Sequence, residues 1–315
     1  MTIALAIHGG CGTLPKSEMT DAEWAEAKAH LAKSLRAGWA ILAKGGSAVD
    51  AVEAAVVVME DSAHFNAGHG AALNADGEHE LDASIMDGAT LAAGALCAVK
   101  RIRNPVTAAK ALMRRGDPLL LTGPAGDAFA QAEGLDIVTN EHFSTERRRK
   151  NLASMKIREL VGTMAGASEA EKHGTVGAVA RDQAGHLAAA TSTGGYTNKP
   201  PGRVGDSPII GAGTYARDGR CAVSGTGKGE YFIRYCVGHE IASLIGYAGL
   251  SLQEAAERAM AELTAHKIGA GLVAIGADGE IVAPYNSGGM YRGWVTPDGL
   301  VHVATHADVD MVGQA

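Results

Sequence analysis

The chain has 315 residues, a formal charge of −7 at pH 7 and 46% hydrophobic residues. That balance suits a soluble globular enzyme and excludes both a disordered chain and the basic face of a nucleic-acid binder. The 42 glycines, set against 4% aromatics, call for many tight turns and close backbone approaches.

Residues 2–7 form a short apolar run that predicts a buried strand, stopping at the glycine loop His8-Gly-Gly-Cys-Gly12. A helix follows from about Asp21 to Lys44, closed by Gly45-Gly46. Ser47, with Asp50 three residues on, resembles a capping box for a second helix, whose face is Val49, Val52, Val56 and Met59. Phe65-Asn-Ala-Gly-His-Gly70 breaks that helix. Glu80–Asp87 and the apolar run Leu91–Val99 come next, then helical stretches over 104–116 and 124–133. From Ser144 to Lys172 the chain is charged and shows no core face, which predicts a solvated helix and a mobile linker. Thr175–Thr193 reads as strand, turn and strand with the turn at Asp182–Gly185. Leu272–Ala283 repeats that plan. Between them lie the loop Asn198–Ser207, a short strand Ala222–Ser224 and two helices, the second opening at Ser251. Helices in both halves with hairpin strands in the second predict stacked sheets covered by helices, not a doubly wound parallel sheet.

The four cysteines (Cys11, Cys97, Cys221, Cys236) form no C-x-x-C pair and read as reduced thiols. The N-terminus lacks a positive leader, and no apolar run approaches the roughly 20 residues needed to span a bilayer. The expected compartment is the cytoplasm. Twelve histidines raise a non-enzymatic, metal-binding alternative. No H-E-x-x-H or Cys/His cluster has ligand spacing, so satisfied or surface histidines are the better reading, with His8 a structural hydrogen-bonder.

The chemistry concentrates at His173-Gly-Thr-Val-Gly177. A threonine hydroxyl inside a chain has no base of its own. If the bond before Thr175 is cut, the freed α-amine, with a pKa of roughly 7.7–8.0, lies beside its own Oγ and serves as that base. Gly174, without a Cβ, tolerates the twisted geometry that self-cleavage demands. A Gly-Thr at a strand start is in itself ordinary, and a plain core strand is the simpler reading.

Its company changes the balance. Ile7-His-Gly-Gly-Cys-Gly12, Phe65-Asn-Ala-Gly68, His79-Glu-Leu-Asp-Ala83 with Met86-Asp-Gly88, His173–Ala180, Thr191-Ser-Thr-Gly-Gly195, Pro201-Gly-Arg-Val-Gly-Asp-Ser-Pro208 and Gly225-Thr-Gly-Lys-Gly-Glu230 follow one another along the chain. In that order, over residues 3 to about 295, the sequence resembles the plant-type asparaginase/isoaspartyl aminopeptidase family of N-terminal-nucleophile hydrolases. The resemblance implies an α+β fold, a four-layer αββα sandwich, as one structural domain built from a large subunit, 1–174, and a nucleophile-bearing subunit, 175–315. It implies Thr175 as nucleophile, cut from Gly174, with Thr193 beside it and Asn66 orienting the region. Thr226 and the Gly227 N–H would form an oxyanion hole. Arg203 would hold the substrate α-carboxylate, and Asp206 with the Gly229 carbonyl its α-ammonium. An isolated Arg-x-x-Asp is most often a surface ion pair, but the glycines and prolines around this one shape the loop. No cofactor is needed for the chemistry. The resemblance implies a sodium ion on the main-chain carbonyls of Met59, Glu60, Ser62, Phe65, Ala67 and His69. Cys11 and Ala63-His64 depart from the commoner residues, and Lys228 stands at a variable position. The implied substrates are L-asparagine and isoaspartyl dipeptides, and the implied assembly is a homodimer of processed protomers. The rival on the same fold is a glycosylasparaginase, which usually carries aspartate where this chain has Gly174.

Overall fold

The computed structural model describes residues 2–12, 20–161 and 174–315. The linker expected ahead of Thr175 and the motif's His173 lie outside these residues. Among them, helices and two sheets make an α+β protein.

The larger sheet has nine strands in the order β13-β12-β11-β1-β5-β6-β2-β3-β4. These are β1 (Ala4–Cys11), β2 (Leu81–Asp87), β3 (Ala93–Val99), β4 (Leu120–Thr122), β5 (Val176–Arg181), β6 (Leu187–Thr193), β11 (Met290–Val295), β12 (Leu300–Ala304) and β13 (Val309–Gln314). The smaller sheet is β10-β9-β8-β7, from β7 (Thr214–Arg217), β8 (Cys221–Gly227), β9 (Ala270–Gly276) and β10 (Ile281–Val282). Only β3 and β4 pair in parallel within these ladders.

Strand alternation decides what each face does. On β5, Val176, Ala178 and Ala180 join a core with Leu5 and Ile7 of β1 and with α1 (Asp21–Ala43) and α2 (Ala48–Glu60). Val179 instead joins Ala189, Val223 and Val273 in a core shared by the two sheets and by α7 (Val237–Ala248) and α8 (Leu252–Ala265). Thr175 and Thr193 flank that inner face at neighbouring strand ends. A third core packs Leu96 and Val99 against α3 (Pro105–Arg115) and α4 (Gly123–Ala132).

Local signals account for the helix boundaries. Ser47 Oγ accepts from the Asp50 amide to open α2, and a full capping box of Ser251 and Glu254 opens α8.

Four expectations need correction. β1 does not stop at His8: it runs to Cys11, because β11 pairs with it through Met290 across a bulge between His8 and Gly10. α5 (Glu146–Leu160) does have a core face, of Arg148, Leu152 and Met155, with Arg148 Nε donating to the Gly70 carbonyl. The strand expected at Ala222–Ser224 extends to Gly227. Two helices were expected between the hairpins, but α6 (Gly229–Tyr235) and α7 are separate, divided at Cys236, whose φ of 47° breaks the helical path.

Candidate active site

Thr175 stands at the inner end of β5, next to β6, and is 6% exposed. Its Oγ1 lies 2.7 Å from the carbonyl oxygen of Gly174, to which it is still joined, and 3.2 Å from Thr193 Oγ1. Two further side chains converge on that same carbonyl. Thr193 Oγ1 donates to it at 2.9 Å, and Asn66 Nδ2 donates at 2.9 Å. A carbonyl oxygen with three side-chain hydroxyl or amide groups around it is polarised toward an oxyanion.

The supports of these groups are themselves held. Asn66 Nδ2 also donates to the Gly195 carbonyl at 2.6 Å, while its Oδ1 accepts from the Ala72 amide at 2.6 Å. Thr193 Oγ1 accepts from the Gly195 amide at 3.0 Å. Gly174 is closely packed: a Cβ there would meet Asn66 Cβ at 2.8 Å.

A pocket opens beside Thr175, and its wall includes Gly174, Thr193, Arg203, Asp206 and Gly227. The loop bearing Arg203 and Asp206 is fastened from below. Lys199 is fully buried and its Nζ donates to the Glu80 carbonyl at 2.9 Å. The Gly202 amide donates to the Glu80 carboxylate at 3.0 Å. Arg203 Nε and Nη2 both donate to Glu230 Oε1, at 3.0 and 2.9 Å, while the guanidinium stacks over the Tyr196 ring at 4.8 Å. Burial pushes the Asp206 carboxyl up to about 7, and among the described residues its Oδ2 has no hydrogen-bond partner. Gly229 must be glycine here, since a Cβ would come within 2.6 Å of Asp206 Oδ1.

Gly227 reaches the pocket wall with a φ of 146°. Thr226, one residue earlier, is fully buried, and its Oγ1 accepts from the Cys11 amide at 3.2 Å. The unforeseen extension of β1 places that amide there.

Known proteins resemble this chain over the span that holds the site. Residues 1–305 match the family described as asparaginase. This chain belongs to the asparaginase family. The isoaspartyl peptidase of Salmonella typhimurium is 46% identical over 294 residues, covering 92% of this chain and 94% of that protein. The isoaspartyl peptidase of Escherichia coli is likewise 46% identical, over 92% of each chain. The isoaspartyl peptidase/L-asparaginase of Mus musculus is 40% identical over 92% of this chain and 87% of that protein. In this asparaginase-family chain β13 lies past the matched span.

Several site residues of this family member escaped the sequence reading. Glu230 was read only as the end of a motif, yet it holds Arg203; no spacing rule links residues across a strand-to-helix turn. Lys199 and Glu80 carry no role in the sequence analysis, yet they anchor the loop.

The six residues proposed to hold a cation sit where α2 ends. Gly68 and Gly70, at φ values of 50° and 102°, wind the loop tightly. A Cβ on Gly70 would lie 2.8 Å from the Ala63 carbonyl oxygen and 2.9 Å from that of Phe65. The carbonyls of Met59, Glu60 and Ser62 already accept from the amides of Ser62, His69 and Phe65. Ala67 is fully buried inside the turn. The Glu60 side chain turns inward, accepting from Ser192 Oγ at 2.6 Å and the Val106 amide at 3.1 Å, and burial pushes its carboxyl up to about 8. Among the described residues no three His, Cys, Asp or Glu side chains cluster as metal ligands. His79 is spent on the Ala72 carbonyl and Ser144 Oγ.

Proposed function

We propose that the chain is a threonine amidohydrolase that cuts its own Gly174–Thr175 bond and then hydrolyses L-asparagine and β-aspartyl peptides. The observation that carries this reading is the Gly174 carbonyl, gripped by Asn66 and Thr193 with the Thr175 hydroxyl against it. Family membership and relatives named isoaspartyl peptidase and L-asparaginase support the substrate class.

Self-cleavage begins when Thr175 Oγ rotates to attack the Gly174 carbonyl carbon. The oxyanion forms on Gly174 O, where Asn66 Nδ2–H and Thr193 Oγ–H stabilise it. The proton of the Thr175 hydroxyl passes to the Thr175 nitrogen, the C–N bond breaks, and water hydrolyses the resulting ester. The new α-amine is then a base at roughly neutral pH.

For the substrate, the Arg203 guanidinium takes the α-carboxylate and the Asp206 carboxylate, with the Gly229 carbonyl, the α-ammonium. Thr175 Oγ attacks the side-chain amide carbon, and the Gly227 N–H on the pocket wall, with Thr226 Oγ–H once it turns from Cys11, would stabilise the developing oxyanion. The Thr175 amine passes its proton to the leaving ammonia or peptide amine. Water then releases L-aspartate.

The two sheets, flanked by helices on their outer faces, support the four-layer sandwich of N-terminal-nucleophile hydrolases. The tightly wound carbonyls of residues 59–69 fit a hard monovalent cation such as sodium, which would stiffen the turn carrying Asn66 and takes no part in the steps above. A homodimer of processed protomers in the cytoplasm completes the reading; sedimentation at micromolar concentration tests the dimer. Among the described residues no helix is long and apolar enough to cross a membrane.

Intact-mass analysis of wild type and Thr175→Ala tests the core of this. The wild type should resolve into 1–174 and 175–315, and the variant should stay whole and inactive. An uncut, fully active wild type would overturn it.

A further inference from the structure

The two sheets meet through a mostly apolar core that includes Ala6, Met86, Val179, Ala189, Ala216 and Val223. Five polar side chains with no part in the reaction run through it. They are Ser84 on β2, Thr214 on β7, Thr191 on β6, Ser224 on β8 and His8 on β1, and every one is 0% exposed.

They form one unbroken chain of contacts. Ser84 Oγ and Thr214 Oγ1 are 2.8 Å apart, and Thr214 Oγ1 and Thr191 Oγ1 are 2.6 Å apart. The Thr191 and Ser224 hydroxyls are 2.7 Å apart, and Ser224 Oγ is 2.9 Å from His8 Nε2. The chain therefore crosses between the larger and the smaller sheet at every step.

Both ends reach the active site. At one end the Ser207 carbonyl oxygen, one residue past Asp206, lies 2.6 Å from Ser84 Oγ and 3.1 Å from Thr214 Oγ1. At the other end, His8 pairs across the ladder with Gly177, two residues past Thr175 on the nucleophile strand, and burial keeps its ring neutral. The nucleophile strand gives way to the seam: a Cβ on Gly177 would stand 1.9 Å from Ser224 Oγ and 2.5 Å from His8 Nε2. A glycine in mid-strand marks such a close approach.

Apolar contact between two sheets is non-directional and tolerates sliding. A chain of short buried hydrogen bonds does not, since a slip strands several polar groups without water. We infer that this seam is a positioning device, holding the Asp206–Ser207 turn at a fixed offset from the nucleophile strand so that Asp206 and Thr175 engage one substrate. The inference rests on the reading of Asp206 as the α-ammonium site. The members of the seam touch neither substrate nor the reacting atoms and act through Ser207 and the nucleophile strand at Gly177.

Calorimetric titration of the purified enzyme with L-aspartate tests it. Thr214→Val, which keeps the shape and deletes the hydroxyl, should weaken binding about tenfold, the scale of one lost buried hydrogen bond. Thr214→Ser should restore it to within about threefold. Ser84→Ala should weaken binding similarly and stands in if Thr214→Val does not fold. Leu263→Ala, in the α8 core beyond the smaller sheet, should lower the melting temperature and leave binding unchanged.

Wild-type affinity in both Thr214→Val and Ser84→Ala would overturn the inference. So would a loss that Thr214→Ser fails to reverse or that Leu263→Ala matches. Asp206→Asn separates the two layers: if it binds L-aspartate as the wild type does, the ammonium-site reading itself falls.

Discussion

Thr193→Val isolates the grip on the Gly174 carbonyl. Valine matches threonine in shape, so the packing at the end of β6 is kept and only the hydroxyl is lost. That hydroxyl donates to Gly174 O at 2.9 Å and accepts from the Gly195 amide at 3.0 Å. On the transition state for self-cleavage, one oxyanion donor of two disappears and Asn66 Nδ2 remains. Removing such a donor typically costs ~2.7–4 kcal/mol, so cleavage should slow about 100- to 1,000-fold. The Gly195 amide, left unpaired in a buried site, should cost about 1–3 kcal/mol of stability. Freshly purified precursor, incubated at 25 °C and sampled for intact mass, gives the cleavage rate; thermal unfolding gives the stability. Thr193→Ser should cleave close to the wild-type rate. A Thr193→Val precursor that cleaves within about threefold of wild type, against the loss expected for a missing donor, would refute the assignment of Thr193 to the oxyanion.

Three other outcomes are expected. Burial pushes Asp206 up to about 7 in the free enzyme, and only its carboxylate form pairs with an α-ammonium. KM should therefore rise as pH falls through 7, and Asp206→Asn should lose that dependence; a flat wild-type KM from pH 5.5 to 8, the span bracketing that titration, would contradict it. Arg203→Lys cannot copy a two-pronged contact. It should lower kcat/KM about 10- to 150-fold, the worth of a hydrogen bond to a charged group at ~1.5–3 kcal/mol, and steady-state kinetics with L-asparagine will show it. Glu60, raised to about 8 by burial, binds its proton more tightly folded than unfolded. Its contribution to stability is full below the ordinary value of 4.5, falls as pH rises from there to about 8, and is level above it. Melting curves should then show Glu60→Gln gaining on the wild type as pH rises from 5 to 9, and a constant difference would argue against a buried, protonated Glu60.

Much of the site could be read in the chain because its chemistry is carried by short contiguous segments. Gly174-Thr175 and the Arg203–Asp206 loop are ordinary in isolation and Thr193 entered only through the family resemblance, which rests on seven such segments in order, and the structure gathers these residues at one pocket. What could not be read is what holds them. Glu230 on Arg203, Lys199 on the Glu80 carbonyl and the Cys11 amide on Thr226 join segments 27 to 215 residues apart. Each looks unremarkable in its own neighbourhood.

The same division runs through the fold. Helix starts at Ser47 and Ser251 and the hairpin turn at Asp182–Gly185 were set by neighbouring residues, since a cap or turn is satisfied within a few positions. The extension of β1 through Gly9 and Gly10 to Cys11 was decided by β11, nearly the whole chain away. A glycine pair in isolation favours a loop; ladder hydrogen bonds to Met290 and Tyr291 outweigh that preference. His8 could be recognised from sequence only as a hydrogen-bonder. Its place in a seam with Ser84, Thr191, Thr214 and Ser224 exists only once two sheets face each other, because burial is what turns five scattered polar side chains into obligatory partners.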